Sequence, residues 1–294
     1  MLINNIFLAL IDIAAFWLIS KVYYSNPKKK INQLFCLVTL FLLFWWNGGY
    51  FFSFSNNLEF SLILGKIILG EVSISFTLIY FFTIFFPYET KRNKSWEKFV
   101  IFLSSISLLL STFTNLVVRD VKFTPWGINP IFGPGQIFYY GWIGFLIILI
   151  LISIIRKYLK SSKTERRKIH YFLIGFSIFL LMNLIFNIFL PIWQESIKYW
   201  QFGNYAAIFF LGFTAYAIIK QQLFGIKIIL TEFFTGLIII LLFIDVLSSK
   251  TSFEYIWKSI LLGIYLIFGH LLVNSTLKEI EQKDKLEIAH RQLE

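Results

Sequence analysis

The residue with the clearest chemical potential is Glu71, an acidic side chain in the middle of a long apolar stretch. Burying its charge in hydrocarbon costs a few kcal/mol, so an ionisable residue there is a functional candidate. Ser75 lies one helical turn away. Lys66 lies about 140° round the helix and is expected to reach the outer surface instead. Glu71 therefore has two interpretations: a protonated or hydrogen-bonded carboxyl that joins helices, or a switch that responds to protons or a ligand.

Two pairs of polar residues also occur at helical spacing within apolar stretches. Asn183 and Asn187 are four residues apart, as are His270 and Asn274, so each pair shares one helix face. Such side chains commonly hydrogen-bond neighbouring helices, and they can also line a small polar cavity. His270 and Asn274 lie near the inner end of the last stretch, where they either transmit motion or pack at the boundary. With Glu71, these four are the candidate sensing or relay residues.

A third set of polar residues favours structural roles. Asp12 and Asp245 lie less deep than Glu71 and are expected to reach the outer interface. A helical stripe of polar residues in the predicted fourth span can hydrogen-bond a neighbouring helix or line a polar cavity. Its members are Ser104, Ser107, Ser111 and Asn115.

No residue pattern of an enzyme or a metal site accompanies these candidates. The sequence has no paired carboxylates, no His/Cys metal spacing, no glycine-rich phosphate loop and no plausibly placed Ser/His/Asp set. Its histidines, His170, His270 and His290, fall in a loop, at a boundary and in the tail, which does not favour one metal centre. Arg291 follows His290, where a kinase phospho-acceptor sequence requires an acidic residue. We therefore expect no cofactor, no metal and no catalysis in this chain.

Composition identifies the elements that position these residues as transmembrane helices. The 294-residue chain is 57% apolar and 20% aromatic, with a mean hydropathy of +0.73, which is not typical of a soluble domain. A span requires about 20 mostly apolar residues. We predict an all-α, polytopic transmembrane helical bundle with about nine spans. They lie near residues 4–24, 33–54, 61–87, 99–118, 137–155, 171–191, 204–219, 229–247 and 255–275.

Positive charge predicts the orientation of this bundle. Of the 27 Lys and Arg residues, 21 fall on the side of the membrane that also holds the C-terminal tail. Short loops rich in Lys and Arg remain cytoplasmic, so we expect the N-terminus outside and the C-terminus on the cytoplasmic side of the membrane. In a soluble protein a net charge of +11 would suggest nucleic acid as a partner. Here it is explained by topology and by contact with anionic lipid heads of the bilayer, and no nucleic acid is expected.

Three connecting segments have their own predictions. Residues 119–136 contain three Pro and three Gly, which excludes a helix and favours a compact, turn-rich outer loop. The run from Ser161 to Glu165 is typical of a turn followed by a helix cap. Residues 276–294 are charged and lack Gly and Pro, which predicts a cytoplasmic signalling helix that starts a coiled coil. Its apolar seam is weak, so a single helix is the alternative.

Several short segments occur in an order that points to a family. They are Thr124-Pro125-Trp126-Gly127 and Gly133-Pro134-Gly135, then Glu165-Arg166-Arg167-Lys168-Ile169-His170-Tyr171 with Gly175, then Asn187 with Pro191, and finally Ala215-Tyr216-Ala217-Ile218-Ile219-Lys220 with Leu223-Phe224-Gly225-Ile226-Lys227. In order and spacing they resemble the N-terminal seven-transmembrane region of bacterial sensor histidine kinases. The family usually has an acidic residue where Gly225 stands and Arg where Lys220 stands. The resemblance covers nearly the whole chain, mainly from about residue 120 onward.

This resemblance implies the membrane input module of a two-component signalling protein. Residues 1–275 would be the sensor domain for an unknown small ligand or membrane stimulus, and the last span would relay the signal to 276–294. In such proteins the charged helix continues into phosphotransfer and ATP-binding domains, and a homodimer through that helix is expected. The alternatives are a small-solute transporter or channel, which predicts a through-going polar cavity, and the input module of a cyclic-dinucleotide signalling protein.

Overall fold

A computed structural model of the chain describes residues 2–125, 127–190, 199–219 and 252–293. Between the last two ranges it also describes residues 235, 236, 238, 239, 242, 243, 245, 246 and 249. The helices with described bounds are α1 (Leu2–Ser25), α2 (Lys30–Phe54), α3 (Leu58–Phe85), α4 (Lys94–Phe113), α5 (Gln136–Lys160), α6 (Lys163–Asn183), α7 (Trp200–Tyr205), α8 (Ala207–Ile219) and α9 (Ser252–Leu293).

Most of these helices are long and apolar enough to cross a membrane. In the described part of the chain there are eight such stretches, with α6 counted together with its extension to Phe189 and α7 together with α8. The predicted all-α polytopic bundle is thereby confirmed. The predicted span at 229–247 lies mostly outside the described residues.

The bundle is built round α3. In the apolar stretch of α3, 72% of the residues are buried, against 22% in the apolar stretch of α4. α3 packs against α2, α4 and α5. Small residues such as Gly65, Gly70, Ser73 and Ser75 alternate with large aliphatic ones along this helix. Small side chains let neighbouring helices approach closely in a bilayer, so the α3 sequence favours a central position.

An aromatic layer fixes α6 and α8 in this bundle. The Phe172, Phe176 and Phe179 rings of α6 lie 5.5, 5.5 and 5.9 Å from the Phe210 ring of α8. Phe172 also stacks on Phe82 of α3 at 6.0 Å. Because the three phenylalanines of α6 recur every three or four residues, they form one buried stripe.

The outer loop is a β-hairpin of β1 (Val118–Thr124) and β2 (Gly127–Phe132), paired antiparallel from Thr124–Gly127 to Val118–Phe132. The sequence excluded a helix here but did not predict strands. Val118 and Val121 are both buried although they are three residues apart. The register shift between Val118 and Asp120 accounts for this spacing, because one extra residue in a strand returns the next side chains to the same face. Gly127 has φ +123°, and a Cβ there would lie 2.7 Å from the carbonyl oxygen of Ser53, so only glycine fits.

Side chains that accept hydrogen bonds from the backbone cap the N-termini of α4 and α6. α4 begins at Lys94 after Asn93, whose side chain accepts a hydrogen bond from Trp96 N (3.2 Å), and it ends at Phe113. The span predicted near 99–118 overlaps this helix from residue 99 to Phe113. The predicted cap before α6 is confirmed as a full capping box. Ser162 Oγ accepts from Glu165 N (3.4 Å), and Glu165 Oε2 accepts from Ser162 N (2.9 Å).

The chain divides into two compact units, residues 11–218 and residues 219–294 with 1–10. Within the second unit α9 is one unbroken helix of 42 residues. At 1.5 Å per residue it is about 63 Å long, roughly twice the thickness of the hydrocarbon core of a bilayer. Its apolar part is Ser252–Thr276, so residues 277–293 continue the same helix beyond the apolar span.

Candidate functional site

Glu71 lies in the interior of the unit formed by residues 11–218, where α3 leaves its side chain 4% exposed. Ser75 Oγ donates to Glu71 Oε1 (2.5 Å), as the one-turn spacing allows. Glu71 Oε2 is buried and has no hydrogen-bond partner among the described residues. Tyr139 of α5 donates its hydroxyl to the carbonyl of Leu69, two residues before Glu71 on α3 (2.8 Å). The carboxyl is thus satisfied at only one of its two oxygens.

A seam of small polar residues joins α3 to α4. Thr77 Oγ1 and Ser104 Oγ share a hydrogen bond of 2.6 Å, and Lys66 Nζ donates to Asn115 Oδ1 (2.5 Å). The Thr77–Ser104 contact agrees with the first alternative for the predicted stripe, hydrogen bonding to a neighbouring helix. Asn115 lies beyond Phe113, where α4 ends, so the predicted stripe does not extend to it along one helix. The hydroxyls of Ser107 and Ser111 are buried without a partner in the described residues.

The second candidate pair lies where α6 widens. Residues Leu184–Phe189 are π-helical, and Leu190 N donates to the carbonyl of Ile185, five residues earlier. Asn183 directly precedes this segment and Asn187 lies inside it. Single π-helical turns within α-helices are rare and occur frequently at functional sites. The widening could not be predicted, because no Pro or Gly occurs within Leu184–Phe189.

An amide network connects this π-helical segment to α7. Asn183 Nδ2 donates to the Gly203 carbonyl (2.9 Å) and to the Phe179 carbonyl (2.8 Å). Asn187 Nδ2 donates to Asn183 Oδ1 (2.7 Å) and to Asn204 Oδ1 (2.8 Å). Asn187 Oδ1 is buried without a partner among the described residues. The predicted pair is therefore brought together, and the structure adds Asn204, which sequence reasoning missed.

Two glycines allow this close packing of α7. A Cβ on Gly203 would lie 2.9 Å from the Asn187 amide, and one on Gly49 of α2 would lie 2.8 Å from the Trp200 ring and 3.1 Å from Asn204 Nδ2. Any side chain at either position would push the helices apart. The network thus depends on backbone contact as well as on its amides.

Asp12 has a structural set of partners. Its Oδ1 accepts from Trp46 Nε1 (2.7 Å) and Asn47 Nδ2 (2.8 Å), both on α2. In the other unit, Asp245 pairs with Lys258 of α9 at 2.8 Å. Both acidic residues therefore tie helices together, as their lesser depth suggested.

Lys157 of α5 is the most completely bonded charged residue that sequence reasoning missed. Its side chain is 4% exposed, and Nζ donates to the carbonyls of Ile84, Phe86 and Tyr88 at 2.8, 2.8 and 2.6 Å. These carbonyls end α3 and begin the following turn, where the helix leaves backbone acceptors unpaired. In the sequence Lys157 is one member of a basic cluster and nothing separates it from Lys160.

An ion pair between Arg92 and Glu97 stabilises the turn between α3 and α4. The Arg92 guanidinium contacts both carboxylate oxygens of Glu97, whose side chain is almost fully buried. The hydrogen bonds that Arg92 donates to this carboxylate raise the pKa of the guanidinium above its usual range. Arg92 therefore keeps its charge under all physiological conditions, and the turn is held in place by a bidentate contact.

His270 and Asn274 lie on α9, in the other unit, and both side chains are exposed. Their Nε2 and Nδ2 atoms are 2.9 Å apart, so they share a helix face and form a pair. They do not belong to the Glu71 or Asn187 clusters. The structure thus places the five predicted residues in three separate clusters.

The fold and these clusters define a multi-pass membrane protein with hydrogen-bonding groups inside a helical bundle. Among the described residues, no group of three or more His, Cys, Asp or Glu could hold a metal ion.

The chain belongs to the family described as the N-terminal 7TM region of histidine kinase, which it matches over residues 6–227. Seven of the eight candidate spans in the described residues fall inside that range, the number in the family description. The predicted family is confirmed, and the chain is a membrane sensory input region. The match is to the sensor region and not to a catalytic kinase domain. Neither a curated protein nor a solved structure matches the chain.

Proposed function

We propose that this input region detects an outer or intramembrane stimulus and relays it through α9 to the cytoplasmic side, where residues 276–294 form the signalling helix. The observation that carries the proposal is the amide network on the π-helical segment of α6. It joins a π-helical turn, which differs from a regular α-helix by one inserted residue, to a neighbouring helix through Asn183 and Asn187. A relay requires a two-state element, because a stimulus can shift an equilibrium only by its different affinity for two packings.

The two packings follow from helix geometry. In the π-helical form, Asn187 Nδ2 reaches Asn204 Oδ1 at 2.8 Å. If the segment became α-helical, residues on one side of it would rotate relative to those on the other, by up to about 100° for each residue absorbed. Asn187 would then leave Asn204, and the link from the π-helical segment to α7 would lose this hydrogen bond. The buried, unpartnered Asn187 Oδ1 lowers the cost of that change, because the network is incompletely satisfied already.

Glu71 provides a second place where two states can differ. One carboxylate oxygen is bonded to Ser75 and the other has no partner among the described residues. Protonation would turn that oxygen into a donor, and neighbouring groups would rearrange to accept from it. We assign it the role of a proton- or ligand-responsive group within the same bundle.

The output would pass through α9, and the α9 helices of two copies of the chain would pair. The continuous helix from Ser252 to Leu293 supports this role, since a helix without a break transmits rotation or translation along its length. The basic connections support an outside N-terminus and a cytoplasmic C-terminus. His270 and Asn274 lie on one face of α9 just before the charged segment, where a shift of the helix would be passed on. A homodimer through residues 276–294 would be the simplest readout.

A chimera with kinase activity tests this proposal. The chain is fused after Leu293 to the phosphotransfer and ATP-binding domains of a histidine kinase, reconstituted in lipid vesicles, and assayed for autophosphorylation. Asn187→Leu removes two hydrogen bonds, worth about 1.4 kcal/mol together, which corresponds to roughly a tenfold shift in a two-state equilibrium. We expect autophosphorylation to change by about that factor.

Leu184→Ala is the matched control, because Leu184 lies in the same π-helical segment and is exposed. It should leave the output within about twofold of the parent, since a single exposed substitution has little effect on stability. If Asn187→Leu folds and gives the parent output, the amide network is not part of the relay. Solute flux through the vesicles would contradict the sensory role of the chain itself.

A further inference from the structure

An apolar groove opens on the side of the bundle between α2, α3 and α4. It encloses about 410 Å³ and is lined mainly by aliphatic and aromatic side chains. The polar lining residues are already satisfied by the protein: Thr77 pairs with Ser104 at 2.6 Å, and Ser105 Oγ donates to the Ile101 carbonyl at 2.9 Å. The groove therefore offers an occupant an apolar surface and no free hydrogen-bonding group.

The length of the groove fits one leaflet of a bilayer. Along α3 its lining runs from Ile74 to Phe81, and along α4 from Ile101 to Leu108. Each of these stretches covers about 10 Å at 1.5 Å per residue. One leaflet of hydrocarbon is about 15 Å deep, half of the total of about 30 Å. An acyl chain lying along the groove would fill most of that depth.

Cations stand at one end of this groove. Lys30 precedes the lining residue Leu34 by one turn of α2, and Lys98 precedes Ile101 by one turn of α4. Both lysines are exposed, and neither forms an ion pair with a described residue. Two lysines on different helices thus flank the same end of the apolar groove.

The wall of the groove that α3 forms also ends close to cationic side chains. Phe81 lines the groove on α3, and Phe85 follows one turn later. Lys30 Nζ lies 5.4 Å from the centre of the Phe85 ring, and the Arg92 guanidinium carbon lies 5.6 Å from it. The cations therefore converge on the helix that forms the floor of the groove. Arg92 is neutralised by Glu97, which leaves Lys30 and Lys98 for an anion.

We propose that this groove is a binding site for an anionic phospholipid of the adjacent leaflet, with one acyl chain along Ile74 to Phe81 and its phosphate between Lys30 and Lys98. Apolar lining alone would accept any lipid, so the two unpaired lysines provide the selectivity. A juxtamembrane lysine favours an anionic lipid by roughly fivefold, so two of them favour it by about 25-fold. The site does not depend on the relay through α9.

The test uses the full chain in nanodiscs of phosphatidylcholine that contain a trace of photoactivatable lipid. The probe is phosphatidylglycerol or phosphatidylcholine with a diazirine near the middle of one acyl chain, and mass spectrometry locates the attached lipid. We expect labelling between Ile74 and Leu108, with phosphatidylglycerol preferred by at least tenfold. Equal labelling by both lipids would overturn the proposal, because it would show an unselective boundary layer.

Two variants separate the headgroup from the acyl chain. Lys30→Gln with Lys98→Gln should reduce the preference to less than twofold while leaving labelling by phosphatidylcholine unchanged. Ser105→Phe places a ring in the groove and should suppress labelling by both lipids. Arg119→Gln with Lys122→Gln removes two exposed charges from the hairpin and should change nothing. If this hairpin control lowers the preference as much as the lysine pair does, net charge and not the groove selects the lipid, and the site is rejected.

Discussion

Two buried ionisable groups lie in the same compact unit and meet opposite conditions. The ammonium of Lys157 donates to three carbonyls, one for each of its protons, at 2.6 to 2.8 Å. The carboxyl of Glu71 has one hydroxyl donor, and its second oxygen has no partner among the described residues. A buried group that forms all of its hydrogen bonds stabilises a single arrangement of its neighbours. A buried group with an unpaired atom can form a further hydrogen bond if its neighbours rearrange. Lys157 is therefore structural, and Glu71 is available for a response.

The largest effect should come from Lys157→Met. The variant keeps the apolar stem but leaves three buried carbonyls without their donor, and we expect a loss of about 3 kcal/mol in the free energy of unfolding. Thermal unfolding in detergent micelles, followed by circular dichroism, measures it. Lys160→Met on the same helix is the control, since Lys160 is exposed and should cost less than about 0.5 kcal/mol. Equal losses in the two variants would mean that the carbonyl contacts add nothing to stability.

Glu71→Gln should separate stability from response. The amide oxygen can still accept from Ser75, and glutamine resembles the protonated carboxyl in shape, so stability should change by less than about 1 kcal/mol. Autophosphorylation of the kinase chimera should no longer vary with pH if Glu71 is the responsive group. An unchanged pH profile in this variant would remove Glu71 from the mechanism. A large loss of stability would place it with Lys157 as a structural group.

The smallest effect should come from the neutral hydrogen bond between α3 and α4. A double-mutant cycle with Thr77→Val and Ser104→Ala should give a coupling energy of about 0.6 kcal/mol, the average for such bonds in a membrane protein. That is about one fifth of the Lys157 effect, although the Thr77–Ser104 distance of 2.6 Å is as short. A coupling energy above about 2 kcal/mol would show that the α3–α4 seam, and not the Lys157 contacts, dominates the polar stability of the bundle.

The fold was predictable because its main signals are local. Apolar stretches of span length, the capping sequence from Ser162 to Glu165 and the absence of Pro within spans all act over a few residues. The same applies to the pairing of Glu71 with Ser75 and of Asn183 with Asn187, which follows from helical spacing alone. The hairpin strands were missed because Pro and Gly dominated the composition of the loop, and the burial of Val118 and Val121 depends on helices distant in sequence.

Contacts between distant segments could not be predicted from one sequence. Lys157 looks like any cytoplasmic lysine until the end of α3 is placed beside it, 69 to 73 residues away in the chain. Asn204 and Gly203 belong to the amide network only because α7 packs on α6. The π-helical turn has no Pro or Gly in its sequence that would mark it either. Roles that need a partner helix are thus hidden, while roles within one helix are visible.

The central claim is that the π-helical turn of α6 is a two-state element that controls output. Deleting Ile188, an exposed residue of this turn, removes the extra residue and should convert Leu184–Phe189 to a regular α-helix without changing the register of the flanking turns. Autophosphorylation of the deletion chimera in lipid vesicles, measured from pH 5 to 8, tests the claim directly. We predict that the autophosphorylation rate of the deletion chimera differs at least tenfold from that of the parent chimera and does not vary with pH. A folded deletion variant with the output and pH profile of the parent would contradict it.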